Sequence, residues 1–128
     1  MQKAIAIALL IIISKATFAN SGIEFRNRSN EVAECGKIHT QTGKWITFLV
    51  LESKEEKRFN KFTLNRKIRC NTKTEGGTTV FTYFIPNKSG TYEIIQDRVK
   101  ATNKRNTRGW YPSTVIVFPD GEIYYNDQ

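Results

Sequence analysis

Short runs of aromatic and β-branched residues, each cut off by Pro, Gly or Asn, dominate the pattern of this chain. Val80, Phe81, Tyr83, Phe84 and Ile85 form one apolar-rich run that stops at Pro86. The turn Asn87-Lys88-Ser89-Gly90 leads into a second β-rich run from Tyr92 to Val99. Residues of this kind on either side of a Pro/Asn/Gly cluster predict paired strands in a twisted sheet. The clearest hairpin closes the chain: Thr114-Val115-Ile116-Val117-Phe118, a Pro-Asp-Gly turn, then Glu122-Ile123-Tyr124-Tyr125. One stretch has another period. Trp45, Phe48, Leu49 and Glu52 fall at i, i+3, i+4 and i+7, Ile46 and Val50 widen the apolar face, and Thr42 is placed to cap it, which predicts a helix. The β-branched Ile46, Thr47 and Val50 keep a strand reading open there, because propensity is a weak prior.

The remaining segments are less regular. Asn20 to Asn30 is polar and reads as a loosely held arm, and Glu31 to Gly36 as a short strand. Arg66 to Asn71 alternates cations with Ile68 and Cys70, as an edge strand does. Thr72 to Thr79, with Gly76-Gly77, is a loop, and Lys100 to Gly109, which lacks any acid, is another, closed by Trp110-Tyr111-Pro112. One helix with about five strands, most of them after it, predicts an α+β domain with the helix packed on a small twisted antiparallel sheet.

The N-terminus is set apart from this fold. Met1-Gln2-Lys3, the apolar run Ala4 to Ile13 and the small residues Thr17 and Ala19 around Phe18 read as a secretory signal peptide over residues 1–19. It is too short for a transmembrane span of roughly 20 residues, so a single exported domain over residues 20–128, with no membrane segment, is expected. Cleavage removes Lys3 and Lys15 and no acid, so the net charge of +8, less two lysines, becomes +6. Export permits a disulfide, and Cys35 and Cys70 are the only cysteines, two free thiols being the other reading. With two cysteines and one histidine the chain has too few of the usual zinc ligands, and neither a metal nor another cofactor is expected. Asn27-Arg28-Ser29 and Asn87-Lys88-Ser89 are glycosylation triplets, with Asn87 in the turn between the two central runs.

Charge narrows the chemistry further. Arg98, Lys100, Lys104, Arg105 and Arg108 lie beside Trp110 and Tyr111, and a second group comprises Lys54, Lys57, Arg58, Lys61, Arg66, Lys67 and Arg69. Cations that neutralise phosphates, mixed with rings on which bases stack, suit single-stranded RNA. The alternative is a solvated cationic surface whose rings belong to the core. The only histidine, His39, lies before the expected helix, and Glu93 is the nearest carboxylate to the central strands. Neither supplies an acid–base pair.

Several of these motifs also carry a family likeness. An aromatic strand ending in Ile85-Pro86, the Gly90-Thr91-Tyr92 turn and Asp97-Arg98-Val99 resemble the core of the fungal guanyl-specific ribonucleases. They are similar, too, to the effector relatives of those enzymes in powdery mildews, the RNase-like proteins associated with haustoria. Glu34-Cys35-Gly36 and the expected helix extend the likeness loosely over most of the mature chain. The resemblance implies a microbial ribonuclease-like fold and a set of catalytic positions. Its general base falls at Thr82 or Tyr83, its assisting histidine around Asn60 and its acid histidine on Phe118, whereas its phosphate-contacting arginine is matched by Arg98. Arg98 could equally be structural, paired with Asp97. Relatives tie their first cysteine to one near the C-terminus; here the partner would be Cys70.

With the base and both histidines gone, no catalytic residue is expected. The resemblance therefore implies a pseudo-ribonuclease effector, exported by a fungal pathogen and delivered into the plant cell. There it would bind host RNA or a host protein to suppress defence, and a host immune receptor could recognise it. The competing readings are an active secreted ribonuclease acting on single-stranded RNA and an effector that works purely through a protein interface.

Overall fold

The computed structural model describes residues 22–100 and 109–125. Over these the chain forms nine strands: β1 (Ile23–Asn27), β2 (Ala33–Ile38), β3 (Trp45–Leu51), β4 (Glu56–Phe59), β5 (Ile68–Lys73), β6 (Thr79–Phe84), β7 (Gly90–Lys100), β8 (Trp110–Val117) and β9 (Ile123–Tyr125). They make two sheets, a five-stranded one in the order β4-β1-β7-β8-β9 and a four-stranded one in the order β3-β2-β5-β6. Among the described residues there is no helix, which overturns the expected α+β, ribonuclease-like arrangement of one helix on a sheet.

The segment expected to be that helix is β3, and its periodicity has a local cause. Strands β2 and β3 pair Cys35 with Leu49 but Gly36 with Thr47, so Phe48 is an extra residue in the ladder. A bulge of this kind shifts the alternation of the strand by one. Period two on each side of it produces the 45, 48, 49 spacing of a helix.

Three other expectations change as well. β6 and β7 are strands, but they do not pair: β6 joins β5, whereas β7 lies between β1, to which it is parallel, and β8. β5 is an inner strand between β2 and β6, not an edge. The N-terminal arm contains β1, which is also internal and buries Ile23, Phe25 and Asn27 completely. The C-terminal hairpin forms as expected, with Val115 opposite Tyr125 and Val117 opposite Ile123.

The two sheets enclose one aromatic-rich core. Ile23, Phe25, Tyr92, Ile94, Ile116 and Phe118 come from the larger sheet; Leu49, Leu51, Ile68, Phe84 and the two cysteines come from the smaller. Cys35 and Cys70 face each other on β2 and β5 and form the disulfide, which on the chain-entropy model stabilises by about 3–4 kcal/mol for a loop of this length. Away from the rings, threonines join the layers. The hydroxyls of Thr72 and Thr114 share a hydrogen bond at 2.9 Å, Thr82 donates to the Thr114 carbonyl, and the Gln96 amide donates to Thr72 Oγ1 and to the Lys73 carbonyl.

Elsewhere a single buried amide holds three chain segments. Asn27 Nδ2 donates to the carbonyls of Glu31, Leu51 and Glu52, while its Oδ1 accepts from the Ser29 amide and hydroxyl. It thereby fixes the end of β1 to the end of β3, across the two sheets. Buried polar groups left without partners cost about 1–3 kcal/mol each. Asn27→Ala is therefore expected to lower the unfolding free energy by about 3 kcal/mol, read as a fall in the denaturant midpoint with little change in slope.

Tyr92 adds a pH signature. Burial pushes its phenol above the ordinary value of 10.0, against the opposing pull of the Lys88 backbone amide, which donates to the phenol oxygen. The folded protein thus keeps this proton to higher pH than the unfolded chain does. The stabilisation is complete below pH 10.0 and is lost as pH rises through the folded value. Lys88, raised by its hydrogen bond to Asp120, loses stability in the same direction above 10.5. Denaturation midpoints followed from neutral to strongly alkaline pH should fall beyond about pH 10, and Tyr92→Phe should flatten that fall.

Candidate functional site

The outer face of the four-stranded sheet carries a row of rings and cations in register. Gly36 on β2 lies opposite Arg69 on β5, and Arg69 lies opposite Tyr83 on β6. Side chains directly opposite on neighbouring strands share one face of a sheet. The Trp45 indole crosses from β3 over Gly36, where an added Cβ would stand 2.4 Å from its Cζ2 and 2.4 Å from the Ile46 carbonyl oxygen. The glycine is what lets the indole lie down, and a hydrogen bond from Trp45 Nε1 to Thr47 Oγ1 at 2.9 Å fixes its angle. The Arg69 guanidinium stacks on the indole, 3.9 Å from the ring centroid, with Phe81 at 5.1 Å and Tyr83 at 5.8 Å. Its Nε is buried without a partner among the described residues. Lys67 Nζ sits 5.2 Å from the Tyr83 centroid. Trp45, Lys67, Arg69 and Tyr83, together with Lys37, Ile38, Thr40, Arg66 and Ile68, line a hollow of about 370 Å³.

A second hollow, of about 250 Å³, opens around the end of the same strands, at the mouth between the two sheets. Phe48, Phe59 and Phe62 form its apolar side, and Lys37, Lys61, Thr63 and Arg66 complete it with Ile68. The three rings meet edge to face or tilted at 5.7–6.1 Å, so their positions are fixed by each other. The β4–β5 loop that supplies Lys61 and Arg66 is anchored by Asn65, which adopts a φ of 63° and donates its amide to the Pro86 carbonyl at 2.7 Å. Asparagine tolerates this left-handed conformation better than most residues.

The two hollows share Lys37, Arg66 and Ile68 and make one bent groove. Its cations are Lys37, Lys61, Arg66, Lys67 and Arg69, and no carboxylate or histidine is among its lining residues. The ion pairs found among the described residues lie elsewhere: Arg26 with Glu24 and Glu56, Arg28 with Glu93, and Lys88 with Asp120. The groove's cations are therefore left to face solvent and aromatic rings.

The residues singled out from sequence as RNA-binding divide between several places. Arg98, Lys100 and Trp110 share one side of the larger sheet at the exposed ends of β7 and β8, Lys100 lying opposite Trp110, which is 57% exposed. Arg98 donates to the Trp110 carbonyl, while the Asp97 carboxylate accepts from the Arg98 backbone amide. Tyr111 points the other way and is buried with Val99 and Val115. Lys104, Arg105 and Arg108 lie outside the described residues.

Of the positions implied by the ribonuclease resemblance, Thr82 and Phe118 are buried in the interior, whereas Tyr83 faces out from the smaller sheet and Arg98 belongs to the larger one. His39 sits in the β2–β3 turn, where Nδ1 is 3.3 Å from both the Thr42 amide and its hydroxyl. Of the two glycosylation candidates, Asn87 is exposed in the β6–β7 loop; Asn27 is the fully buried amide described above, its nitrogen enclosed by three carbonyls.

Lys61, Arg66, Lys67 and Arg69 were legible as a basic group, but Lys37, Trp45 and Tyr83 were not connected to them. One signal was available. A glycine inside a strand pattern marks close approach by another group, and Gly36 is such a glycine.

No protein-family model, no curated protein and no solved structure matches this chain.

The seat of Trp45 can be tested directly. Gly36→Ala places a methyl group against the indole and against backbone, so it should displace the ring and cost about 1–3 kcal/mol, as overpacking does. In a Trp110→Phe background, where Trp45 is the one indole left, the expected readouts are a shifted emission maximum and a lower denaturation midpoint.

Proposed function

We propose that the exported chain is a non-catalytic RNA-binding protein of the effector class, and that it grips single-stranded host RNA along the bent groove. The observation that carries this reading is the groove's composition: five cations outside the ion pairs of the described residues, interleaved with five rings and with no carboxylate in the lining. Phosphates supply the charge such a site lacks, and bases supply the flat surfaces its rings fit. The absence of a carboxylate or histidine from the lining supports binding without cleavage, since transfer through a 2′-hydroxyl needs a base and an acid at the phosphate.

The setting comes from the signal peptide, the excess of cations and the resemblance to the haustorial proteins of powdery mildews. That resemblance is kept for the destination, the host plant cell, where an immune receptor could perceive the protein. It is not kept for the architecture.

The test uses the mature, disulfide-bonded protein, a labelled single-stranded RNA and a series of salt concentrations, with binding and cleavage recorded together. Binding should weaken with a log–log slope of about −2 to −3.5, the value for three to five phosphate contacts at about −0.7 each. Arg66→Ala and Lys67→Ala should each reduce the slope by about 0.7, and Trp45→Ala should weaken binding without changing it. Lys100→Ala and Trp110→Ala, on the other sheet, should leave most of the affinity. Absence of binding at low salt would overturn RNA as the partner and favour a protein interface. Cleavage that tracks the purified protein through these variants would overturn the non-catalytic reading.

A further inference from the structure

The groove is bent, and its bend divides it into two hollows of different make. The first lies on the outer face of the smaller sheet and has Trp45, Arg69 and Tyr83 as flat walls. The second lies at the mouth between the sheets and has Phe48, Phe59 and Phe62. The first has Lys67 and Arg69 to itself, the second has Lys61, and Lys37 and Arg66 belong to both. At about 370 and 250 Å³, the first hollow is near the lower end of the size range of small-ligand sites and the second below it, so neither admits a run of stacked bases.

Resting on the RNA-binding reading above, we infer that the groove is a dinucleotide site. One base enters the Trp45–Arg69–Tyr83 hollow, its neighbour enters the phenylalanine hollow, and the phosphodiester between them lies against Lys37 and Arg66. The bases are splayed apart, because one hollow lies on the outer face of the smaller sheet and the other at the mouth between the sheets. Unstacked, splayed bases are the form in which single-stranded RNA is commonly recognised.

Both hollows are set before the ligand arrives. Trp45 is held by Gly36, Thr47 and Arg69, and Phe62 is held edge-on by Phe25 at 5.6 Å and by Phe59 at 5.7 Å. Little side-chain freedom is then lost on binding, which favours affinity from a short ligand. The unpartnered Arg69 Nε fits the same picture. The guanidinium is committed to its stacked position, and it serves the first hollow as a charged plane.

The experiment uses mature protein carrying Trp110→Phe, so that Trp45 emission reports the first hollow alone. The probes are a nucleoside 5′-monophosphate, a 5′-phosphorylated dinucleotide, a tetranucleotide and dinucleotides lacking either base, all at one low salt concentration. The dinucleotide should quench Trp45 and bind at least about tenfold more tightly than the mononucleotide. The step to the tetranucleotide should be small once the number of binding registers is allowed for. Removing either base should return affinity to the mononucleotide level. Phe62→Ala should do the same while leaving the quenching intact, and the abasic probes decide the matter if that variant fails to fold. Affinity that climbs evenly with length, or indifference to removal of one base, would overturn the dinucleotide site and leave RNA binding standing. No quenching or binding by any probe would overturn both.

Discussion

The aromatic core of this molecule is organised around one ring, Phe25. It lies on an internal strand of the larger sheet and touches Tyr92 from the adjacent strand, Phe48 from the smaller sheet, Phe59 from the edge strand β4 and Phe62 from the following loop, all between 5.6 and 6.2 Å. Tyr92 continues the chain of contacts to Phe84 and Phe118, and Phe118 continues it to Tyr124. Edge-to-face and tilted pairs of this kind add about 0.5–1.5 kcal/mol each beyond the area they bury. A small two-sheet protein with one disulfide has few other ways to join its layers. The polar ties, Asn27 at one corner and the Thr72–Thr82–Thr114 cluster elsewhere, fix register where rings do not reach.

The same seam reaches the surface at the candidate site. Phe48, Phe59 and Phe62 pack against the core with one side and line the second hollow with the other. The floor of the groove is therefore as rigid as the core beneath it, and a substitution there changes folding and binding together. Trp45, Arg69 and Tyr83 are different. They stack on each other over Gly36, outside the core, and can be altered with less effect on the fold. This division separates a structural reading from a binding one, because the first hollow has rings in place that the interior does not use.

How much of this was legible beforehand depended on how far each signal reached. The Thr114–Tyr125 hairpin needs only a local turn and alternation, and it was readable. The disulfide needed only two cysteines and the expectation of export. β1 was missed because Arg26 and Arg28 flank Asn27 and make a polar run of what is, position by position, a buried alternation of Ile23, Phe25 and Asn27. The partners of β6 and β7 were missed because the Asn87-Lys88-Ser89 turn, which looks like a hairpin, carries the chain from one sheet to the other. The helix expected over β3 is the most instructive failure. One bulged residue, Phe48, is enough to turn the period of a strand into that of a helix.

That bulge also connects fold to site. On one side of it, Leu49 and Leu51 face the core beside Cys35 and Ala33; on the other, Trp45 and Thr47 face outward across Gly36. Phe48, between them, takes neither course and joins Phe25, Phe59 and Phe62. A regular strand would have kept Trp45 in phase with Leu49 and Leu51, whose side chains face the interior. The extra residue is what sends the indole to one hollow and the phenyl ring to the other. The irregularity that concealed the strand in the sequence is thus the one that gives the groove two aromatic compartments, with Lys37 and Arg66 between them.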